Sequence, residues 1–323
     1  MTREAKPFSI DGALGPYLLG GAQQLLRSLT RLSAFHPREA AFLTGFAVSV
    51  SRAAAKRAEA EARGERAVPM LIARVDAEAG GGEMSAEDWA RAFAQAQELG
   101  VSFVILIGDP LKRPDVLARA AETSGMLFAV FTEAAALDGA MQERFDASRN
   151  LLPVLREAGG GVQADAADAL RRRRIPFAAW AKVTGDNAKE LTSAAYLTGL
   201  REAGCRVLLC VEAPGADAGS AFSEGVEALR RRDPDGREML LLAFPGDEAH
   251  TGGCLAAGRG FAMIAADGGV TPCPYWRASD ASLRTASLRE ALASPLFAGL
   301  RDGDTCAGER LGCAPYRQPG GKG

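Results

Sequence analysis

The sequence predicts an α/β protein, with a parallel sheet forming an open or partial barrel of about six βα units. Helices precede the barrel and a small cysteine-rich region follows it. Three observations lead there. Short apolar runs recur from residue 68 onward, separated by helical patterns. The runs are uninterrupted rather than alternating, as in strands covered on both faces. After Pro245 the composition changes: Gly and Pro rise, periodic helices fade, and four of the six cysteines gather.

The elements follow in order. Residues 16–62 read as helical and Ala/Arg-rich, broken at His36-Pro37. VPMLIARV (68–75) reads as the first strand. SAEDWARAFAQAQELG (85–100) reads as a helix, with Ser85 as N-cap, Asp88 three residues on and Gly100 as the stop. VSFVILIG (101–108) is the second strand, and a helix follows between Pro110 and Glu122. MLFAVF (126–131), LLPVL (151–155), PFAAWAKV (176–183), CRVLLCVEA (205–213) and EMLLLAF (238–244) are further strands. FAMIAADGGVTPCPYW reads as two short strands around an Asp-Gly-Gly turn, and SLREALASPLFAGLR as a short helix. The expected organisation is a helical segment over 1–66, a barrel over 67–247 and a cysteine-rich domain over 248–323.

The bulk numbers exclude several classes. With 323 residues and 47% hydrophobic content the chain can bury a substantial core. A net charge of −2, from 38 basic and 40 acidic residues, gives no overall pull toward nucleic acid or an anionic membrane. The runs Arg171–Arg174 and Arg230–Arg232 fall at expected helix ends, where cations complement the dipole. No stretch approaches the roughly 20 apolar residues of a membrane span. The N-terminus lacks a signal-peptide core, so a cytoplasmic protein is expected. Six cysteines are too few for a secreted disulfide scaffold, and clustered thiols in a reducing compartment point to metal.

Cys254, Cys273, Cys306 and Cys313 are separated by 18, 32 and 6 residues. Four thiolates can hold one 4Fe-4S cluster or a structural zinc ion. The paired CxxC of a zinc ribbon is missing, and the surrounding glycines would let backbone N–H groups approach cluster sulfurs. Cys205 and Cys210 fall in one expected strand at i and i+5, on opposite faces, and read as core cysteines. His36 reads as structural and His250 as a surface or hydrogen-bonding group. With two histidines in the chain, no Ser/His/Asp or Cys/His arrangement suggests itself; P-loop and GxGxxG motifs are missing too.

The order CLAAGRGF…DGGVTPCPYW…SDASLRTASLREALASPLFAGLR…GC resembles the C-terminal auxiliary-cluster region, SPASM or the shorter twitch form, of radical S-adenosylmethionine proteins. ELGVSFVILIGDPLKRPDVL is similar to their second strand and its GGEPL-type loop, and LFAVFTEAAAL to the segment carrying Thr-Asn-Gly. PFAAWAKVTGDNAKELTSAAYLTGLREAGCRVLLCVE continues the likeness, which covers about residues 67–315. It implies a partial (β/α)6 barrel of radical-SAM type and one auxiliary 4Fe-4S cluster on Cys254, Cys273, Cys306 and Cys313. Cys313 resembles the late ligand of the family better than Cys306, which is either the fourth ligand or a spare.

The departures bear on activity. The CxxxCxxC expected after the first strand is replaced by DAEAGGGEMS (76–85), and no cysteine occurs between Met1 and Gly204. Without those three thiolates there is no open iron for the cofactor, which leaves S-adenosylmethionine in doubt. The GGEP-type loop is reduced to Gly108-Asp109-Pro110, and Thr132-Glu133-Ala134 stand in place of Thr-Asn-Gly. The resemblance therefore implies a degenerate member that has lost radical chemistry and acts as a binding or electron-transfer partner, in peptide or cofactor maturation. Asp109, Thr132 and Glu133 are its candidate cofactor-binding residues, with Arg74, Asp76 and Lys182 on the same barrel mouth as ligand, protein or peptide surface. Two alternatives stand beside it. One is an enzyme of another class using Asp109 or Glu133 as acid or base in the emptied barrel; the other is a structural zinc adaptor.

Overall fold

The computed structural model describes residues 37–77, 82–157, 161–205, 207–212, 219–232, 239–244, 255–274 and 276–302. Helix α1 (Pro37–Ala62) is followed by β1 (Met70–Arg74), α2 (Ala86–Glu98), β2 (Phe103–Ile107), α3 (Pro114–Glu122) and β3 (Leu127–Thr132). Next come α4 (Gly139–Ala147), β4 (Leu151–Arg156), α5 (Ala164–Arg172), β5 (Ala178–Val183), α6 (Ala188–Leu191), α7 (Ala194–Glu202) and β6 (Val207–Glu212). Then α8 (Gly219–Arg232) and β7 (Leu240–Phe244) complete the repeat, and β8 (Phe261–Ile264), β9 (Val270–Thr271), α9 (Leu288–Leu292) and α10 (Pro295–Asp302) end the described chain. The expected helix before His36 lies outside the described residues.

The nine strands of the described residues join one sheet in the order β7-β6-β5-β4-β3-β2-β1-β8-β9. Strands β1 to β7 are parallel to their neighbours in chain order, one strand more than the six-unit expectation. β8 adds to the other side of β1, also parallel, and β9 folds back antiparallel on β8. The segment after Pro245 thus extends the barrel sheet itself.

Alternation along each strand splits the apolar residues between two faces. The outer face packs on the helices through Leu71, Val104, Leu106, Phe128, Val130, Leu155, Ala179 and Leu208, with Trp89, Phe93 and Leu170 opposite them. The inner face carries two smaller groups. Phe103, Ile105, Ala129, Phe131, Leu152, Val154, Trp180 and Val207 line β2 to β6. Ile72, Phe261, Met263, Leu255, Ala256 and Cys273 line the β1–β8 side.

Local signals account for the boundaries. Ser85 and Asp88 form a reciprocal capping box on α2, as their spacing predicts. Gly100 ends the same helix with φ +81, and a Cβ there would lie 2.5 Å from the Ala53 carbonyl of α1. The buried Arg57 guanidinium donates to the Gly100 carbonyl, so α1 is docked on this turn by close backbone approach. The predicted single C-terminal helix is two: Ala293 caps α9, and Pro295, which has no N–H to continue that helix, opens α10. Cys205 and Cys210 are both fully buried in the same outer core rather than on opposite faces. Cys205 precedes β6, so strand alternation does not reach it, and its thiol donates to the Val207 carbonyl at 3.1 Å.

Candidate functional site at the barrel mouth

The C-terminal ends of β1 to β5 gather the predicted mouth residues. Arg74 and Asp76 lie on the inner-face side of β1 and its extension, with their charges 3.9 Å apart. Beyond β2, Gly108 takes φ +92, and a Cβ built on it would sit 1.7 Å from Asp76 Oδ1. Only glycine fits beneath that carboxylate. Asp109 starts a short 3-10 turn (Pro110–Lys112) and pairs with Lys112 at 2.9 Å. Glu133 continues β3 on the inner-face register and pairs with Arg156 at 2.9 Å. Lys182 sits on the inner-face register of β5, and no ion-pair partner for it occurs among the described residues.

Thr132 departs from the group. It lies on the outer-face register of β3, opposite the buried Leu155, and is 6% exposed, with its hydroxyl donating to the Glu133 carbonyl at 3.1 Å. Asp109 and Glu133 each hold a cation on the rim. Two further residues complete the mouth. Arg156 ends β4, and its guanidinium lies 5.5 Å from the ring centroid of Trp180, which also packs on Phe131 at 5.4 Å. Strand alternation in LLPVLR and AAWAKV was the available signal for both.

The rim is fastened from outside by Arg113. Its guanidinium donates to the Val75 carbonyl at 3.0 Å and the Met84 carbonyl at 3.1 Å, and pairs with Asp115 at 2.8 Å and Glu83 at 3.1 Å. The hydrogen bonds from Arg113 hold the Asp115 carboxyl below the usual carboxylate range, against a smaller desolvation effect. One side chain thus ties down both ends of the connection between β1 and α2.

Of the four C-terminal thiols, Cys254, Cys306 and Cys313 lie outside the described residues. Cys273 is 4% exposed, packed with Ile72, Phe261 and Met263. The β8–β9 register, extended two residues, places it beside Phe261, which pairs with Met70 at the start of β1. Cys273 therefore lies about 13 Å along β1 from the Arg74 rim, at ~3.3 Å per residue. Among the described residues, no group of three or more His, Cys, Asp or Glu could hold a metal.

Comparison with solved structures decides the fold. Streptococcus suis SuiB bound to S-adenosylmethionine matches with a TM-score of 0.58 at 16% identity, over 80% of this chain and 72% of that one. SuiB bound to the precursor peptide SuiA matches with a TM-score of 0.57 at 15% identity, over the same shares of 80% and 72%. The fold is that of the radical S-adenosylmethionine proteins. The anSMEcpe protein with bound AdoMet and Cp18Cys peptide also matches, with a TM-score of 0.53 at 10% identity over 71% of this chain and 81% of that one. No protein-family model and no curated protein matches the sequence.

The connection after β1 carries the carboxylates Asp76 and Glu83 and no thiol, and no cysteine precedes Gly204. The Asp76 carboxylate packs directly on Gly108 at the head of β2. Cys273 is a thiol in an apolar setting at the other end of the inner face.

Proposed function

We propose that this chain is a radical-SAM-fold protein without radical chemistry, which binds a peptide in its barrel and holds one 4Fe-4S cluster on Cys254, Cys273, Cys306 and Cys313. It serves peptide maturation as a binding or electron-transfer partner. The observation that carries the reading is the β1 connection, which lacks any thiol and whose Asp76 fills the space over Gly108. The peptide-bound structures of SuiB and anSMEcpe support a peptide as the barrel ligand.

Within this reading, residues 1–66 form an accessory helical segment, 67–247 the barrel and 248–323 the auxiliary-cluster region. The last supplies β8 and β9 to the barrel sheet, so a cluster at Cys273 would be in packing contact with the inner face through Ile72. Asp109 and Glu133, the candidate cofactor-binding residues, are rim acids that hold Lys112 and Arg156 and would meet a ligand entering the mouth. No helix among the described residues is long and apolar enough to cross a membrane, and the proposed location is the cytoplasm.

An iron, acid-labile sulfide and zinc count on anaerobically purified full-length protein tests the cluster assignment. About four irons and four sulfides per chain are expected, falling to background in a Cys254→Ser/Cys273→Ser variant. Zinc in place of iron would overturn the assignment and leave the cysteines as scaffold.

A further inference from the structure

One corner of the barrel mouth carries more donors than acceptors. Inner-face alternation puts Trp180 and Lys182 two residues apart on β5, and Arg156 of β4 pairs in register with Trp180. The Phe131 and Trp180 rings, tilted by 36°, form an apolar floor, and the Arg156 guanidinium lies over the indole. Glu133 is the one acid bonded to Arg156, and both side chains are exposed enough to exchange that bond for another. The Lys182 ammonium has no acid within ion-pair distance among the described residues. The Trp180 Nε1 donor is buried with no acceptor. By contrast, Arg74 and Lys112 on the same rim each have an acid beside them.

We propose that Arg156, Trp180 and Lys182 form a subsite for a carboxylate carried next to an apolar side chain, so that the barrel reads an acidic residue flanked by apolar ones in its peptide. This rests on the peptide-binding reading above. The charge balance argues for it: Arg156 and Lys182 occupy inner-face positions of adjacent strands with Glu133 as the one acid paired there among the described residues, so a second carboxylate would complete the set. A guanidinium over an aromatic ring is held in plane and can meet a carboxylate with two parallel N–H groups. The Phe131–Trp180 floor would take the flanking apolar side chain. The corner also differs from a polar surface patch, because its donors stand on strand positions fixed by the sheet.

Fluorescence titration of the full-length protein tests this, with the capped peptides acetyl-Gly-Phe-Asp-Leu-Gly-amide and acetyl-Gly-Phe-Asn-Leu-Gly-amide and with S-adenosylmethionine as probes. The aspartyl peptide is expected to bind at least tenfold tighter than the asparaginyl one. Arg156→Gln should erase that difference, Arg156→Lys should restore part of it, and Lys182→Gln should reduce it severalfold. Lys112→Gln, which alters a cation already paired with Asp109, should leave it unchanged. Equal affinity for the two peptides would overturn the carboxylate subsite and leave the peptide reading standing. Binding of neither peptide would overturn both. Displacement of the aspartyl peptide by S-adenosylmethionine, with the same Arg156 dependence, would assign the carboxylate to that molecule and overturn the proposal.

Discussion

Asp76 and Gly108 meet so closely that each dictates what the other can be. A Cβ at Gly108 would overlap the Asp76 carboxylate and would also require φ +92, a left-handed conformation that side chains avoid. Gly108→Ala should therefore cost about 2–3 kcal/mol in stability, read as a fall in the denaturant midpoint. Adding Asp76→Ala should recover the steric share and leave the conformational share, a coupling of roughly 1 kcal/mol or more in a double-mutant cycle. If the two effects simply added, the carboxylate would not be the neighbour that excludes a side chain. Arg113 has a comparable local role, since its guanidinium bonds to the carbonyls of Val75 and Met84. Arg113→Ala should speed proteolysis between β1 and α2 while leaving the rest of the chain intact.

Among the elements, α2 shows how a cap couples stability to pH. Asp88 accepts from the Ser85 N–H and from Arg91, and these bonds hold its carboxyl below its ordinary value. The folded state thus binds that proton less well than the unfolded chain. Its contribution is full above the unfolded value, about 3.9, and is lost as pH falls through the lower folded one. Acid unfolding should be shallower for Asp88→Asn than for the parent between pH 5 and 2, measured by circular dichroism across that range. The docking of α1 offers a second element-level test. Gly100→Ala would place a methyl group against the Ala53 carbonyl and strain φ +81. Faster amide exchange in α1 should follow, with little change in β2.

How much was legible varied from element to element in the same way. The strands were readable because runs such as VILI and LFAVF must be buried on both faces. The capping box was readable from Ser85 and Asp88 alone, since it depends on local spacing. The break between α9 and α10 was not, because the apolar periodicity of SLREALASPLFAGLR runs on through Ser294-Pro295, although Pro295 has no N–H to continue α9. Nor did the sequence reveal that Arg156 stacks on Trp180, a contact set by the β4–β5 register between residues 24 positions apart. Thr132 was placed at the mouth by its motif position, but alternation along β3 turns it to the outer face.

At the scale of the whole molecule, the inner face has two ends with different chemistry. The start of β1 and β8 holds Cys273 in apolar packing, and the strand C-termini hold a charged rim with no thiol among the described residues. A radical enzyme of this fold would need cysteines at the rim, whereas this chain keeps its thiols in the C-terminal region and within the core near β6. The proposed loss of radical generation rests on that contrast. Its most direct test is the yield of reductive S-adenosylmethionine cleavage by anaerobic, fully iron-loaded, dithionite-reduced protein. The expected yield is no greater than that of a variant with all four C-terminal cysteines replaced by serine. Cleavage reaching one equivalent per chain in the parent, and lost in that variant, would contradict it.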